Sequence, residues 1–292
     1  MKDEIIDCLA YNGKVSIKCI SSREIVEKAR KLHDLSPTAS AALGRLLTIT
    51  SIMGYELKTE EASITNQIKG NGPIGILTAV ADSNGNVKGY VGNSKVDLPL
   101  RETDGKLDVG GAVGKQGMLY IIKDLGIGKP YVGMTPIVSG EIAEDFTNYF
   151  ATSEQTPTVI ALGVLVDKNG IKSAGGYKLS LMPDAGEEEI SKIEEQIKNI
   201  EPVSKMLDEN KTLEEIAKIV TGDENLKVLE RTEPKFECNC SREKCEKGLI
   251  AIGKKELEDI IKEEEKIQIE CNFCNSKYVF TREELQEIVV KM

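Results

Sequence analysis

Cys238-Asn239-Cys240 and, thirty residues further on, Cys271-Asn272-Phe273-Cys274 place four of the seven cysteines in the last 59 residues of the chain. So short a unit has too little interior to be secure on apolar burial alone, and a staple is expected. Two close pairs supply the tetrahedral thiolate set that Zn²⁺ prefers. Cys238, Cys240, Cys271 and Cys274 are therefore read as ligands of one zinc ion per chain. Four sulfurs also suit an iron centre, and sequence alone does not separate the two metals. One residue between Cys238 and Cys240 is a tighter spacing than most structural zinc sites use. A disulfide across it would be strained and hence labile, while metal-bound sulfurs are thiolates, the form that oxidants attack. The site reads as a reversible redox switch.

The other three cysteines read differently. Two alternating runs flank Asn12-Gly13, a pair suited to a type I′ hairpin turn. Pairing outward from it puts Ile6, Cys8, Ala10, Val15, Ile17 and Cys19 on one apolar face, with Asp7, Tyr11, Lys14, Ser16 and Lys18 on the other. Cys8 and Cys19 then stand diagonally, beyond comfortable disulfide reach, as core thiols. Cys245 shares a helical face with Leu249 and Ile252 behind the N-cap residue Ser241, which favours a core role; a spare ligand or resolving thiol is the alternative.

The first 181 residues read as one α+β domain of sheets and helices. Ser22 to His33 is helical, and Ser36-Pro37 opens a second, largely apolar helix to about Leu57 whose Ala39 to Ile52 stretch carries only Arg45 as a charge. Short alternating runs from Ala62 to Leu125 predict a sheet, Gly140 to Ala151 a helix, and Thr158 to Val166 with Ile171 to Leu181 a further hairpin. Residues 182–233 form an acidic helical linker. From 181 to 233 the chain holds 15 acidic residues against 7 basic ones, most of its net charge of −10. Two stripes at helical spacing, Ile190/Ile193/Ile197/Ile200 and Leu213/Ile216/Ile219/Val220, must dock on something apolar or fray. Residues 234–292 are the terminal zinc-binding domain.

Several functions are disfavoured. A chain this acidic lacks the basic footprint of a nucleic-acid binder. With His33 as the lone histidine, read as a helix C-terminal cap, relay catalysis has a single candidate base. A thiol peroxidase or reductase would lack a histidine beside its cysteines, leaving Arg242 and Lys244 to depress a thiolate pKa. No run approaches the roughly 18 apolar residues of a membrane span, and Met1-Lys2-Asp3-Glu4 does not open like a signal peptide, so a cytoplasmic address is expected. Gly70-Asn71-Gly72-Pro73-Ile74-Gly75 satisfies a dinucleotide fingerprint, yet a strand follows it. Gly110-Gly111-Ala112-Val113-Gly114-Lys115-Gln116 looks like a phosphate loop but lacks its first glycine and its Ser/Thr. ATP is not expected.

The cysteine pairs behind an acidic linker and an α+β domain resemble the redox-regulated heat-shock protein 33 chaperones. Further blocks are similar to that family's signatures: Ser36-Pro37-Thr38-Ala39, Ala42-Leu43-Gly44-Arg45-Leu46-Leu47, Ile68-Lys69-Gly70-Asn71-Gly72-Pro73, Val96-Asp97-Leu98-Pro99-Leu100, Gly110 to Lys115, Ser139 to Asp145 and Ser153-Glu154-Gln155-Thr156-Pro157. The resemblance implies an ATP-independent holdase rather than an enzyme, inactive when reduced and zinc-bound, and active when oxidised. It also implies disulfides Cys238–Cys240 and Cys271–Cys274, release of zinc, unfolding of the linker, dimerisation of the oxidised form, and unfolding proteins as partners. Cys245 is not part of that family's ligand pattern.

Overall fold

The computed structural model describes residues 2–292. Asn12 (φ 55°, ψ 34°) and Gly13 (φ 94°) take the left-handed values of a type I′ turn, closed by the Lys14 N–H on the Tyr11 carbonyl at 3.3 Å. Strands β1 (Glu4–Ala10) and β2 (Val15–Ser21) leave it with Ile6 opposite Cys19 and Cys8 opposite Ile17, as the alternation requires. Helix α1 (Arg23–His33) follows. Its C-cap is Asp34 (φ 49°), whose N–H donates to the Arg30 carbonyl, so His33 is the last helical residue and the capping expected of it falls to its neighbour. The Ser36 hydroxyl accepts the Ala39 N–H at 3.2 Å and starts α2 (Pro37–Tyr55), with Pro37 at the first helical position.

Then come β3 (Ser63–Gly70), β4 (Ile76–Asp82), β5 (Val87–Val91), α3 (Val109–Val113), β6 (Gly117–Asp124), β7 (Tyr131–Pro136), α4 (Ala143–Thr152), β8 (Thr158–Asp167) and β9 (Gly170–Leu181). Residues 182–233 supply α5 (Glu187–Lys198), α6 (Val203–Asp208), α7 (Leu213–Thr221) and β10 (Lys227–Thr232). One sheet has the strand order β10-β1-β2-β9-β8, the other β5-β4-β3-β6-β7, each antiparallel throughout. α2 lies between them, touching β3, β4 and β5 on one side and β2, β8 and β9 on the other. This explains why the helix is apolar all round.

The two glycine-rich motifs form a single joint. The Gly72 and Ile74 N–H groups donate to the Val113 and Ala112 carbonyls at 2.9 and 3.1 Å. A Cβ on Gly70 or Gly72 would stand about 2 Å from those same carbonyl oxygens. The glycines are there so that two backbones can touch.

The segment 182–233 straps the face of the first sheet that α2 leaves uncovered. Ile193, Val203, Met206, Leu213, Ile216, Ala217 and Val220 are buried against Ile6, Cys8, Ala10, Val15, Ile17, Cys19, Tyr177 and Leu179, with Ile197 and Ile200 partly buried beside them. Two details depart from expectation. Ile219 is 38% exposed, because the face that docks is Leu213/Ile216/Ala217/Val220. The segment is also not helical throughout: β10 extends the sheet along the outer edge of β1. Tyr11 ties the hairpin tip to the end of α7 through its N–H on Asp223 Oδ2 (2.6 Å) and its hydroxyl on the Thr221 carbonyl (2.5 Å).

Packing divides the chain into a unit ending at Glu237 and another of Cys238–Met292. Phe236, buried in the main core, makes a parallel bridge to Val87 of β5. The second unit holds α8 (Arg242–Ile252), α9 (Lys254–Glu263), β11 (Lys266–Glu270), β12 (Lys277–Thr281) and α10 (Arg282–Lys291) around a small cluster of Leu249, Leu257, Phe280, Leu285 and Ile288. Cys245 packs partly buried on that cluster, whereas Ile252, expected on the same face, is 47% exposed at the helix end.

Candidate metal centre

Cys271 and Cys274 sit in the six-residue connection of the β11–β12 hairpin, whose last pair is Glu270 opposite Lys277. The turn is set by backbone bonds: the Cys271 N–H to the Ser276 carbonyl (2.9 Å), and the Cys274 and Asn275 N–H groups to the Cys271 carbonyl (3.2 and 2.8 Å), with Asn275 left-handed at φ 56°. Cys238 and Cys240 lie in the irregular stretch before α8. There the Ser241 hydroxyl caps the Lys244 N–H at 3.2 Å, and the Lys244 ammonium meets the Asn239 carbonyl at 2.8 Å.

The four sulfurs all lie within 4.8 Å of one another and are partly buried. Cys238 Sγ is 3.8 Å from Cys271 Sγ, and Cys240 Sγ is 3.2 Å from Cys274 Sγ. A tetrahedron of sulfurs about 2.3 Å from a central zinc has edges of about 3.8 Å, so the donor set and its span fit such an ion with a small opening of one edge. These four cysteines are positioned to hold a metal ion. Cys8 and Cys19 are fully buried in the first unit and take no part.

The sulfurs are also supplied with donors. Cys238 accepts the N–H of Cys240, Cys271 those of Phe273 and Cys274, and Cys274 that of Ser276. Two hydroxyls complete the surround: Tyr278 Oη is 3.1 Å from Cys240 Sγ, and Ser276 Oγ is 3.1 Å from Cys274 Sγ. Burial pushes the Cys238 thiol up to about 12 and raises Cys271 too. Burial also pushes on Cys274, but the Ser276 hydroxyl and N–H, with Cys240 and Cys238, hold it down at about 6. The cations expected to depress a thiolate are engaged elsewhere. Arg242 lies over the Phe280 ring at 4.1 Å, donates to the Val279 carbonyl at 2.7 Å and pairs with Glu284 at 2.7 Å. Ser276 and Tyr278 escaped the sequence reading. The first carried a signal, standing two residues beyond Cys274, whereas the second depends on a register that only the fold defines.

Such a cluster can bind a soft divalent cation as four thiolates, and it can give up electrons in pairs to become disulfides. Among the described residues no helix is long and apolar enough to cross a membrane.

The sequence profile of the Hsp33 protein family matches residues 3–281. The 33 kDa chaperonin of Clostridioides difficile is 48% identical over 292 residues, covering both chains in full. That of Thermoanaerobacter sp. is 43% identical over 290 residues, 99% of this chain and 98% of its own. The crystal structure of the 33 kDa chaperonin (heat shock protein 33 homolog) of Thermotoga maritima superposes with a TM-score of 0.89 at 40% identity, covering 100% of this chain and 99% of that one.

Proposed function

From the premise that this chain belongs to the Hsp33 family of chaperones, we propose that it is an ATP-independent holdase for unfolding proteins, silent when reduced and switched on by oxidation. The observation that carries the reading is the four-sulfur cluster in a unit whose own apolar core is only a handful of side chains. Cys238, Cys240, Cys271 and Cys274 hold one Zn²⁺ in the reduced chain. Bound zinc supplies on the order of 10–16 kcal/mol of folding free energy to a small domain, against about 5–15 kcal/mol for the whole stability of a typical one.

Oxidation withdraws that support. One thiolate attacks peroxide and becomes a sulfenic acid with release of hydroxide. A second thiolate then attacks that sulfur, forming the disulfide and releasing a second hydroxide. Two electrons pass to peroxide, and two solvent protons complete two waters. The pairs are Cys238–Cys240 and Cys271–Cys274. In the reduced cluster Cys238 also meets Cys271, and Cys240 meets Cys274, across the pairs, but once the metal is lost it is the partners within one loop that remain tethered at close range.

With residues 238–292 disordered, the segment 182–233 is the next to yield. Its helices are 12, 6 and 9 residues long, too short to persist undocked, and they carry many like charges. Release uncovers Ile6, Val15, Ile17, Tyr177 and Leu179 on the sheet, together with the apolar stripes of the helices, as surface for clients. The oxidised protein works as a homodimer in the cytoplasm. It binds neither nucleic acid nor membrane, in keeping with its net charge of −10, and it is not an enzyme.

The test is metal analysis of anaerobically purified protein, combined with light scattering of a denaturing client before and after peroxide. One zinc per chain and protection only after peroxide are expected. Absence of metal, protection independent of oxidant, or repeated peroxide turnover per chain would overturn the reading.

A further inference from the structure

Three of the four sulfurs are served by their own loops. Cys238 takes an N–H from Cys240 two residues away, Cys271 takes two from Phe273 and Cys274, and Cys274 takes one from Ser276. These bonds belong to turns and last as long as the turns do. Cys240 is met instead by a side chain from 38 residues further along, the Tyr278 hydroxyl at 3.1 Å. Tyr278 stands on β12 opposite Ile269, and its ring packs against the cluster of Leu249, Leu257, Phe280, Leu285 and Ile288. The hydroxyl is thus held in place by a partly buried ring packed on the cluster and by the strand pairing of its backbone.

A thiolate has lone pairs and no proton. When Cys240 is a metal ligand, the hydrogen in the 3.1 Å contact therefore comes from the tyrosine. Resting on the metal-binding reading above, we propose that Tyr278 is a positioning residue for the Cys240 thiolate, linking the first cysteine pair to the hairpin that carries the second and strengthening retention of the metal. The bond joins the two halves of the ligand set through the small core, so the site and the fold of the second unit hold each other. A hydroxyl donated to a thiolate also draws electron density from the sulfur, which leaves a spectroscopic mark separate from packing.

The experiment compares full-length wild-type, Tyr278→Phe and Ile269→Val chains. Zinc affinity is measured by competition with a chelator, and Co²⁺-loaded samples report the sulfur-to-metal charge-transfer band. Tyr278→Phe keeps the ring and removes the donor. It is expected to lower zinc affinity about 10- to 100-fold, the usual cost of removing a group that supports a ligand, and to move the Co²⁺ band to longer wavelength. Ile269→Val, which trims the cross-strand neighbour, is expected to leave the band in place. If wild type binds one ion tightly and Tyr278→Phe matches it within about twofold, this inference fails while the proposed function stands. Weakened affinity with an unmoved band would also overturn it, by assigning Tyr278 to packing. A wild-type chain that binds no zinc overturns the proposed function and this inference together.

Discussion

Ile216→Ala tests whether the strap over the first sheet is an independently releasable element. Ile216 is fully buried on α7, among Ile6, Cys8, Ile17 and Cys19 of the sheet and Ile193 of α5. Truncating a buried isoleucine to alanine costs about 2–5 kcal/mol, as lost transfer energy plus the cavity left behind. At about 1.4 kcal/mol per factor of ten, the opening equilibrium of the segment should rise by roughly 30- to 3,000-fold. The assay is native-state hydrogen exchange on the reduced, zinc-loaded chain, comparing peptides from residues 187–232 with peptides from β3 and β4 in the other sheet. Acceleration confined to the segment is expected, with partial protection of a denaturing client in the absence of oxidant. Ile219→Ala on the same helix is the control: its side chain is already 38% exposed, and an effect within about 0.5 kcal/mol is expected. If β3 and β4 accelerate by the same factor, the unit opens as a whole and the strap is not a separate element. A segment that opens while the client still aggregates would refute the assignment of the covered face as client surface.

Cys8→Ser and Cys19→Ser should leave the response to peroxide intact, because both thiols are fully buried in the first unit and burial pushes Cys8 up to about 12. Each should lower thermal stability by about 1–3 kcal/mol, the cost of a buried hydroxyl without a partner; loss of peroxide activation in either variant would contradict the division of roles among the cysteines. Asp3 supplies a pH dependence of stability. Burial raises its carboxyl to about 6, against the opposing pull of the Ile25 and Glu24 N–H donors. The folded chain then holds this proton more tightly than the unfolded one, so stability falls as pH rises from about 4 to about 6, by on the order of 3 kcal/mol. Asp3→Asn should be less stabilising than wild type or equal to it at pH 4 and relatively more stable at pH 7 in paired thermal melts; a gap that does not change with pH would show that Asp3 is not the group responsible.

The local signals in the sequence proved reliable where chemistry and backbone agree. Asn12-Gly13 dictates a turn with two positive φ angles, and that turn fixes which face carries Cys8 and Cys19. Ser36-Pro37 starts α2 for the same kind of reason. The four cysteines were legible because their spacing is unusual for anything other than a metal or redox site. What escaped depends on tertiary placement. Leu213/Ile216/Ala217/Val220 and Leu213/Ile216/Ile219/Val220 are both helical stripes, and only the position of the sheet decides that Ala217 faces in and Ile219 out. The strand β10 was hidden in a charged, polar run, Lys227 to Thr232, because an edge strand half open to water needs little apolar alternation. The two glycine motifs looked like phosphate loops because close backbone approach demands glycine whether the neighbour is a phosphate or another peptide.

The most direct test of a switch in which metal loss frees the strap follows three signals in one peroxide-treated sample. A chromogenic chelator reports zinc release, hydrogen exchange reports residues 187–232, and light scattering reports a denaturing client. Zinc release at one ion per four thiols lost is expected first, with faster exchange in the segment and client protection rising together after it. Protection that develops while residues 187–232 remain as slow to exchange as in the reduced chain, or before zinc has left, would contradict it.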